Sequence, residues 1–364
     1  MSEALAALGV VSPRHPDSDL ITRARAALDR WAAVPVGSPT SSVLGGGAIA
    51  AAERGFSHLH EGRPALLLPS ATYATMVGLH TLGVDPGDEV ICGIIDWPAG
   101  FAAITGLGAV PVTVPVSPAT LTIDPAAAGK ARTDRTRAVL ACHLHGTCAD
   151  IGALRDMLPG VPILEDAAQA LGSTLDGKLA GTMGDAAVLS LGPGKQIDAG
   201  EGGVLLLATE HLHGRATAYA CHPLRQLLAG HSEPAPAALG MRPHPMTAIF
   251  ALYELTAWAP QHAQADRLTA LRQLDGASHI QSIGTDARRT TALPSVPVLV
   301  GSSDQADPPN GIRWSRSGAQ VLPSSSAEHR EQARQLLDRV RLAAPAEHAS
   351  AQRGEPTQTK TESP

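Results

Sequence analysis

The 364-residue sequence predicts an α/β protein built on a mostly parallel, doubly wound sheet of about seven strands. Three observations point there. Short apolar runs of strand length alternate with segments of helical periodicity. The runs at 162–164 and 186–191 are continuously apolar, as strands covered on both faces must be. Ser70, Trp97, Asp166 and Lys195 fall just where such runs end, and ligands of open α/β sheets bind beyond the carboxyl ends of strands. The length suits two lobes rather than one small core. We divide it into an arm and helix (1–45), a large α/β domain (46–245), a small α+β C-terminal domain (246–343) and a disordered tail (344–364).

In chain order, residues 19–33 (DLITRARAALDRWAA) set Leu20, Ala24, Leu28 and Trp31 on one side of an amphipathic helix. Residues 34–47 are turn-rich and read as a mobile loop, and 48–60 as a second helix. Ala65 to Leu68 is an apolar strand, followed by Pro69-Ser70-Ala71-Thr72 and a helix over 72–82. A strand running into a helix N-terminus offers free backbone N–H groups to an anion, although Ser70 and Thr72 are also ordinary cap residues. Asp85 to Asp88 is a turn, and residues 89–95 a strand with Trp97 just past its end. Residues 109–114 form another strand, and Pro111 favours a sheet edge.

A helix over 124–131 and a strand over 137–142 lead to His143-Leu144-His145-Gly146. On a strand the two histidines would share a face. No further metal ligands stand at a matching spacing. After a helix over 151–158 come strands at 162–164, 186–191 and 202–207. Residues 209–245, rich in His, Pro, Gly and Ala, look irregular. Helices follow over 246–258 and 264–274, a strand over 296–300 and a turn-rich loop over 301–312. Ser325 and Glu328 form a capping-box pattern for a helix over 327–343. The remainder carries few apolar side chains.

The chemical centre is residues 162–203. Asp166 at the end of one strand and Lys195 past the end of another can enter one crevice. This pairing suits pyridoxal 5′-phosphate (PLP). A lysine amine forms a Schiff base with the cofactor aldehyde, and a carboxylate keeps the pyridine nitrogen protonated so that the ring acts as an electron sink. Gln169 would reach the ring hydroxyl from a helical turn, and Ser190 the phosphate. Taken singly, such a lysine is usually a surface charge and such an aspartate a helix cap. A P-loop is excluded, because Leu189 stands where the first glycine belongs and Gln196 replaces the Ser or Thr.

Together, E-D-A-A-Q-A (165–170), S-x-x-x-x-K (190–195) and G-E-G-G (200–203) resemble the DegT/DnrJ/StrS-type PLP-dependent sugar aminotransferases, which are fold type I enzymes. The resemblance starts near residue 48 and weakens towards 343. It implies PLP on Lys195, with Asp166, Gln169 and Ser190 as its partners. Ser70, Ala71 (through its amide) and Thr72 would hold the phosphate, Ala71 replacing a family glycine. Trp97 would stack on the ring.

Arg242 occupies the position of a family asparagine that crosses a dimer interface to the other subunit's cofactor phosphate, and His244 that of a family arginine. Arg242 is thus a phosphate ligand, a substrate-carboxylate clamp or a surface residue. The implied activity is transfer of an amino group from an amino acid to a keto-sugar nucleotide or other carbonyl intermediate of specialised metabolism, by a homodimer. The alternatives are a dehydratase or eliminase on the same fold, or a non-catalytic PLP-binding relative.

Composition narrows the partners. A net charge of -6 provides no global basic surface for nucleic acid. No signal peptide and no membrane-spanning run is evident, so a cytoplasmic protein is expected. Cys92, Cys142, Cys148 and Cys221 form no C-x-x-C pair and read as buried thiols rather than metal ligands or disulfides.

Overall fold

The computed structural model describes residues 20–32, 41–258 (bar 234, 236 and 237), 280–282, 286–291, 296–300, 312–316, 319–323 and 326–345. The predicted helix over 264–274, most of the loop over 301–312, Ser325 and the tail beyond 345 lie outside them. So do residues 1–19 and 33–40, which hold most of the arm outside its helix and much of the predicted mobile loop.

Helices α1 (Leu20–Ala32) and α2 (Ala48–Leu59) precede β1 (Ala65–Leu68) and α3 (Ala71–Thr81). Then come β2 (Glu89–Gly93), β3 (Ile95–Asp96), α4 (Pro98–Gly106), β4 (Val110–Val114), α5 (Pro125–Lys130), β5 (Thr136–Cys142), α6 (Ile151–Met157) and β6 (Ile163–Asp166). A short hairpin, β7 (Thr174–Leu175) and β8 (Lys178–Leu179), leads to β9 (Ala186–Ser190) and β10 (Gly203–Leu207). Helices α7 (Glu210–Ala220), α8 (Pro223–Leu228) and α9 (Pro245–Ala257) follow. The C-terminal part holds β11 (Ile280–Ser282), β12 (Arg289–Thr290), β13 (Val296–Val300), β14 (Ile312–Arg316), β15 (Gln320–Val321), α10 (Ala327–Asp338) and β16 (Val340–Pro345).

The central sheet has seven strands in the order β1-β10-β9-β6-β5-β2-β4. Only β10 runs against the rest, antiparallel to both β1 and β9. Pro111 sits on the edge strand β4, where a missing N–H breaks no ladder on the open side. Alternate residues of the buried strands feed two cores. Leu66, Leu68, Leu164, Val188 and Leu205 meet α3 on one face, and Leu67, Leu189, Val204 and Leu206 meet α2 and α9 on the other. Gly78 lets α3 lie close to the sheet: a Cβ there would stand 3.0 Å from Leu164 and 3.1 Å from Leu205. A separate antiparallel sheet, β11-β13-β16-β14, forms the α+β part with α10.

Several expectations change. Residues 209–245 are not irregular throughout. The Thr209 side chain accepts from Leu212 N to start α7, and His222 caps α8 with Pro223 at its first position. Histidine- and alanine-rich composition hid both helices. The helix predicted over 327–343 stops at Asp338, and a strand begins at the buried Val340. Its cap is Ser326, which accepts from His329 N. His143 and His145 do not share a strand face. β5 ends at Cys142, and a tight turn over 144–146 puts His145 in the left-handed region, φ 54°. Among the described residues no cluster of three His, Cys, Asp or Glu could hold a metal ion, and no helix is long and apolar enough to cross a membrane.

Candidate active site

Because β10 alone is reversed, the carboxyl ends of β1, β5, β6 and β9 share one edge with the amino end of β10. Gly203 is register-paired with both Leu68 and Ser190. That edge gathers Ser70, Asp166, Ser190 and the loop that carries Lys195.

Lys195 lies on the loop between β9 and β10. Leu191 N donates to Gly202 O at 2.9 Å, closing the loop at its base, and Lys195 N donates to Gly192 O at 3.2 Å. The lysine is half-buried, and its Nζ stands 5.7 Å from the centroid of the Trp97 ring. Burial lowers the ammonium's pKa, with Asp166 opposing that shift. Trp97 caps α4 and is 41% exposed.

Asp166 ends β6 and is buried. Burial raises its pKa, while an N–H from Ala168 (3.0 Å to Oδ1) and the Lys195 charge act to lower it. Three residues on, Gln169 accepts from His145 N through Oε1 at 2.7 Å, which leaves its NH2 end to donate. The adjoining Glu165 is a different kind of group. It is fully buried and accepts from His143 Nε2 (2.8 Å), Gly181 N (3.0 Å), Met183 N (2.8 Å) and Gly184 N. Burial opposes its ionisation, but these donors outweigh it and hold the carboxyl below its ordinary range. His143 Nδ1 accepts from Ala149 N at 3.0 Å, so Nε2 carries the proton that goes to Glu165.

Ser70 caps α3, accepting from Tyr73 N at 3.3 Å. Ala71 and Thr72 form the first turn of that helix, with outward-facing N–H groups. Gly203 makes room beside them. A Cβ there would lie 2.5 Å from Ala71 N and from Ser70 O. Ser190 Oγ accepts weakly from Gly192 N at 3.4 Å. Arg242 is exposed and, among the described residues, no hydrogen bond or ion pair joins it to this cluster. His244 caps α9, accepting from Met246 N.

The sequence reading missed Asp96, Cys142 and Asp198. Asp96 is buried at the end of β3, accepts from Trp97 N at 2.6 Å and is hydrogen-bonded to Cys142, which stands opposite Asp166 in the β5–β6 register. Burial, then the Asp166 charge, pushes the Asp96 carboxyl up to about 7. Its signal was present: like Asp166, it is an acid directly after an apolar run. Asp198 accepts from Gly194 N (3.2 Å) and Gly200 N (2.9 Å), and only the folded loop brings these together.

A stretch of 148 residues is 40% identical to an L-glutamine:2-deoxy-scyllo-inosose aminotransferase of Streptoalloteichus tenebrarius, covering 40% of this chain and 35% of that protein. Another of 181 residues is 36% identical to a 3-amino-5-hydroxybenzoate synthase of Amycolatopsis mediterranei, covering 49% of this chain and 47% of the relative. The matches thus span about a third to a half of these relatives' length. The crystal structure of a 3-amino-5-hydroxybenzoic acid synthase superposes over 92% of both chains with a TM-score of 0.73 at 24% identity, and the shared fold is the fold type I arrangement. The profile of the DegT/DnrJ/EryC1/StrS aminotransferase family matches residues 38–292, and this chain belongs to that family.

Proposed function

We propose that this protein is a PLP-dependent aminotransferase that moves an amino group from L-glutamine or L-glutamate to the carbonyl of a keto-cyclitol, keto-sugar nucleotide or similar intermediate of specialised metabolism. The observation that carries the reading is Lys195 Nζ, 5.7 Å from the Trp97 ring centroid and under the charge of the buried Asp166. The names of the relatives favour this donor and acceptor class.

The residues fit the cofactor. Gly203 lets β10 approach the Ser70 and Ala71 backbone closely, which sets a helix N-terminus suited to phosphate at this edge. There Ser70, the Ala71 and Thr72 amides, and Ser190 would take the phosphate. Trp97 would cover the ring, the Gln169 amide would donate to its hydroxyl, and Asp166 would hold a negative charge at its nitrogen. When bound, PLP supplies an electron sink for the donor's Cα. Lys195 would hold it through Nζ, and the same amine would carry a proton as base and then acid. A depressed lysine pKa makes the neutral amine easier to reach.

The active unit in this reading is a homodimer. Leu44, Leu224, Leu227, Leu228 and Leu239 are all exposed, Leu228 by 70%. Leu224, Leu227 and Leu228 share the short helix α8, which we take as part of the association surface. From a partner subunit, Arg242 would reach the phosphate or a substrate carboxylate. Four buried free cysteines fit a reducing compartment, the cytoplasm.

Borohydride treatment of the PLP-loaded protein should fix the cofactor on the peptide containing Lys195, and glutamine or glutamate should convert bound PLP to pyridoxamine phosphate. Fixation on another lysine, or undiminished fixation in Lys195→Ala, defeats the assignment.

A further inference from the structure

The lysine loop is held by buried groups that come from outside the central sheet. Asp198 ties the loop on both sides of Lys195, through Oδ2 to Gly194 N and through Oδ1 to Gly200 N. The carbonyl oxygen of Asp198 accepts from Arg23 Nη2 at 2.8 Å. The same guanidinium pairs with Glu254, Nε at 3.1 Å and Nη2 at 2.9 Å from Oε1. Arg23, Asp198 and Glu254 are 5%, 3% and 1% exposed. Arg23 belongs to α1 and Glu254 to α9, so helices early and late in the chain meet the loop at one side chain.

Stability is a weak reason for such a group, because a buried ion pair can often be replaced by apolar side chains at no loss. An apolar pair would pack α1 on α9 but would leave the Asp198 carbonyl unheld. The planar guanidinium has donors in several fixed directions and serves both.

We propose that Arg23 is a positioning residue for Lys195, fastening the lysine loop to the packing of α1 against α9. The proposal rests on the reading of Lys195 as the cofactor lysine. Because the loop sets where Nζ stands relative to Asp166 and Trp97, loosening it changes the amine's reactivity before any cofactor binds.

The test is competitive acetylation of the cofactor-free full chain across pH, read by mass spectrometry on the Lys195 peptide, alongside PLP affinity and thermal unfolding. Arg23→Met keeps most of the side-chain volume and loses the fork. Asp198→Asn keeps the backbone carbonyl and loses one side-chain acceptor. Glu89→Gln, at the amino end of β2 on the opposite edge of the sheet, perturbs a buried acid without touching the loop.

We expect both loop variants to shift the pH profile of Lys195 labelling and to weaken PLP binding by about tenfold, the scale of effect a slightly misplaced group produces. Arg23→Lys should restore part of this. Glu89→Gln should lower the unfolding temperature with the Lys195 profile unchanged. If Arg23→Met and Asp198→Asn lower the unfolding temperature but keep the wild-type labelling profile and PLP affinity, the positioning role is overturned. If Arg23→Met does not fold, Arg23→Lys, which keeps the charge and loses the fork, decides by the same criterion. Borohydride fixation of PLP on a different lysine would instead overturn the reading of the site, a result distinct from an unchanged labelling profile.

Discussion

Glu165 and Asp166 adjoin in the chain, yet β6 turns their carboxylates to opposite faces of the sheet. Glu165 is saturated by backbone N–H groups and His143, whereas Asp166 faces Lys195. Their substitutions should therefore separate. Glu165→Ala strands several buried donors and should cost about 3 kcal/mol or more of stability, read by chemical denaturation. Asp166→Ala should fold with near-wild-type stability while slowing the conversion of bound PLP to pyridoxamine phosphate by about 100-fold or more, since the ring loses its protonated form. A fast Asp166→Ala half-reaction would remove Asp166 from the site.

Asp96 carries a pH signature. Its carboxyl ionises near 7 in the fold, against 3.8 as the reference value. Between these values the native state holds a proton that the unfolded chain releases, so this contribution to stability is complete below about 3.8 and is lost as pH rises through about 7. Asp96→Asn keeps an acceptor for Trp97 N but cannot ionise. Relative to wild type it should gain stability between about pH 4 and pH 7, at up to about 1.4 kcal/mol per pH unit, and the difference should level off above about 7. A constant difference across that range would show that Asp96 does not titrate there.

His60 and His145 act in the other direction. Burial lowers both to about 4 from 6.5. The unfolded chain takes up protons that the fold refuses, so stability falls as pH drops from about 6.5 towards 4. His60→Leu removes one of these groups. Phe56 O, which accepts from His60 Nδ1 at 2.9 Å, keeps the His60 backbone N–H at 3.1 Å. The acid loss of stability should be shallower by about one proton in this variant, measured by urea unfolding at stepped pH. An unchanged slope would count against a neutral His60.

Gly203→Ala places a methyl group 2.5 Å from backbone atoms of Ser70 and Ala71. Backbone cannot swing aside as a side chain can, so the α3 N-terminus must shift. We expect PLP affinity to fall by about 100-fold, in keeping with the cost of a displacement near 1 Å. Calorimetric titration with PLP would measure it. Wild-type affinity in this variant would show that the close approach does not shape the cofactor site.

Much of this was legible in the sequence because the relevant signals are local. Continuous apolar runs bounded by turns gave the seven strands of the central sheet, and Pro111 marked its edge strand. Asp166 stood out because it ends one strand, and Lys195 because it lies just past the end of another. What stayed hidden depends on contacts distant in the chain. Arg23 and Asp198 are 175 positions apart, and nothing near either residue announces the bond between them. Glu165 and Asp166 look equivalent as letters, and only the donors around Glu165 distinguish them. Helix α8 escaped because its histidine cap and proline start resemble loop composition until the backbone is seen, and α7 because it is rich in His, Gly and Ala.

The reversal of β10 has a kinetic consequence. The chain leaves the sheet at Ser190 and returns to it at Gly203, register-paired with the residue it left, so the lysine rides on a loop hinged at both ends by ladder hydrogen bonds. Thermal agitation of that loop cannot spread into the strands without breaking the ladder. In deuterium-exchange mass spectrometry, peptides ending at Leu189 and beginning at Val204 should stay protected for hours, while Gly194, Lys195 and Gln196 on the loop should exchange sooner than either strand. The amine would then have room to swing between two bonding partners on a hinge that does not drift.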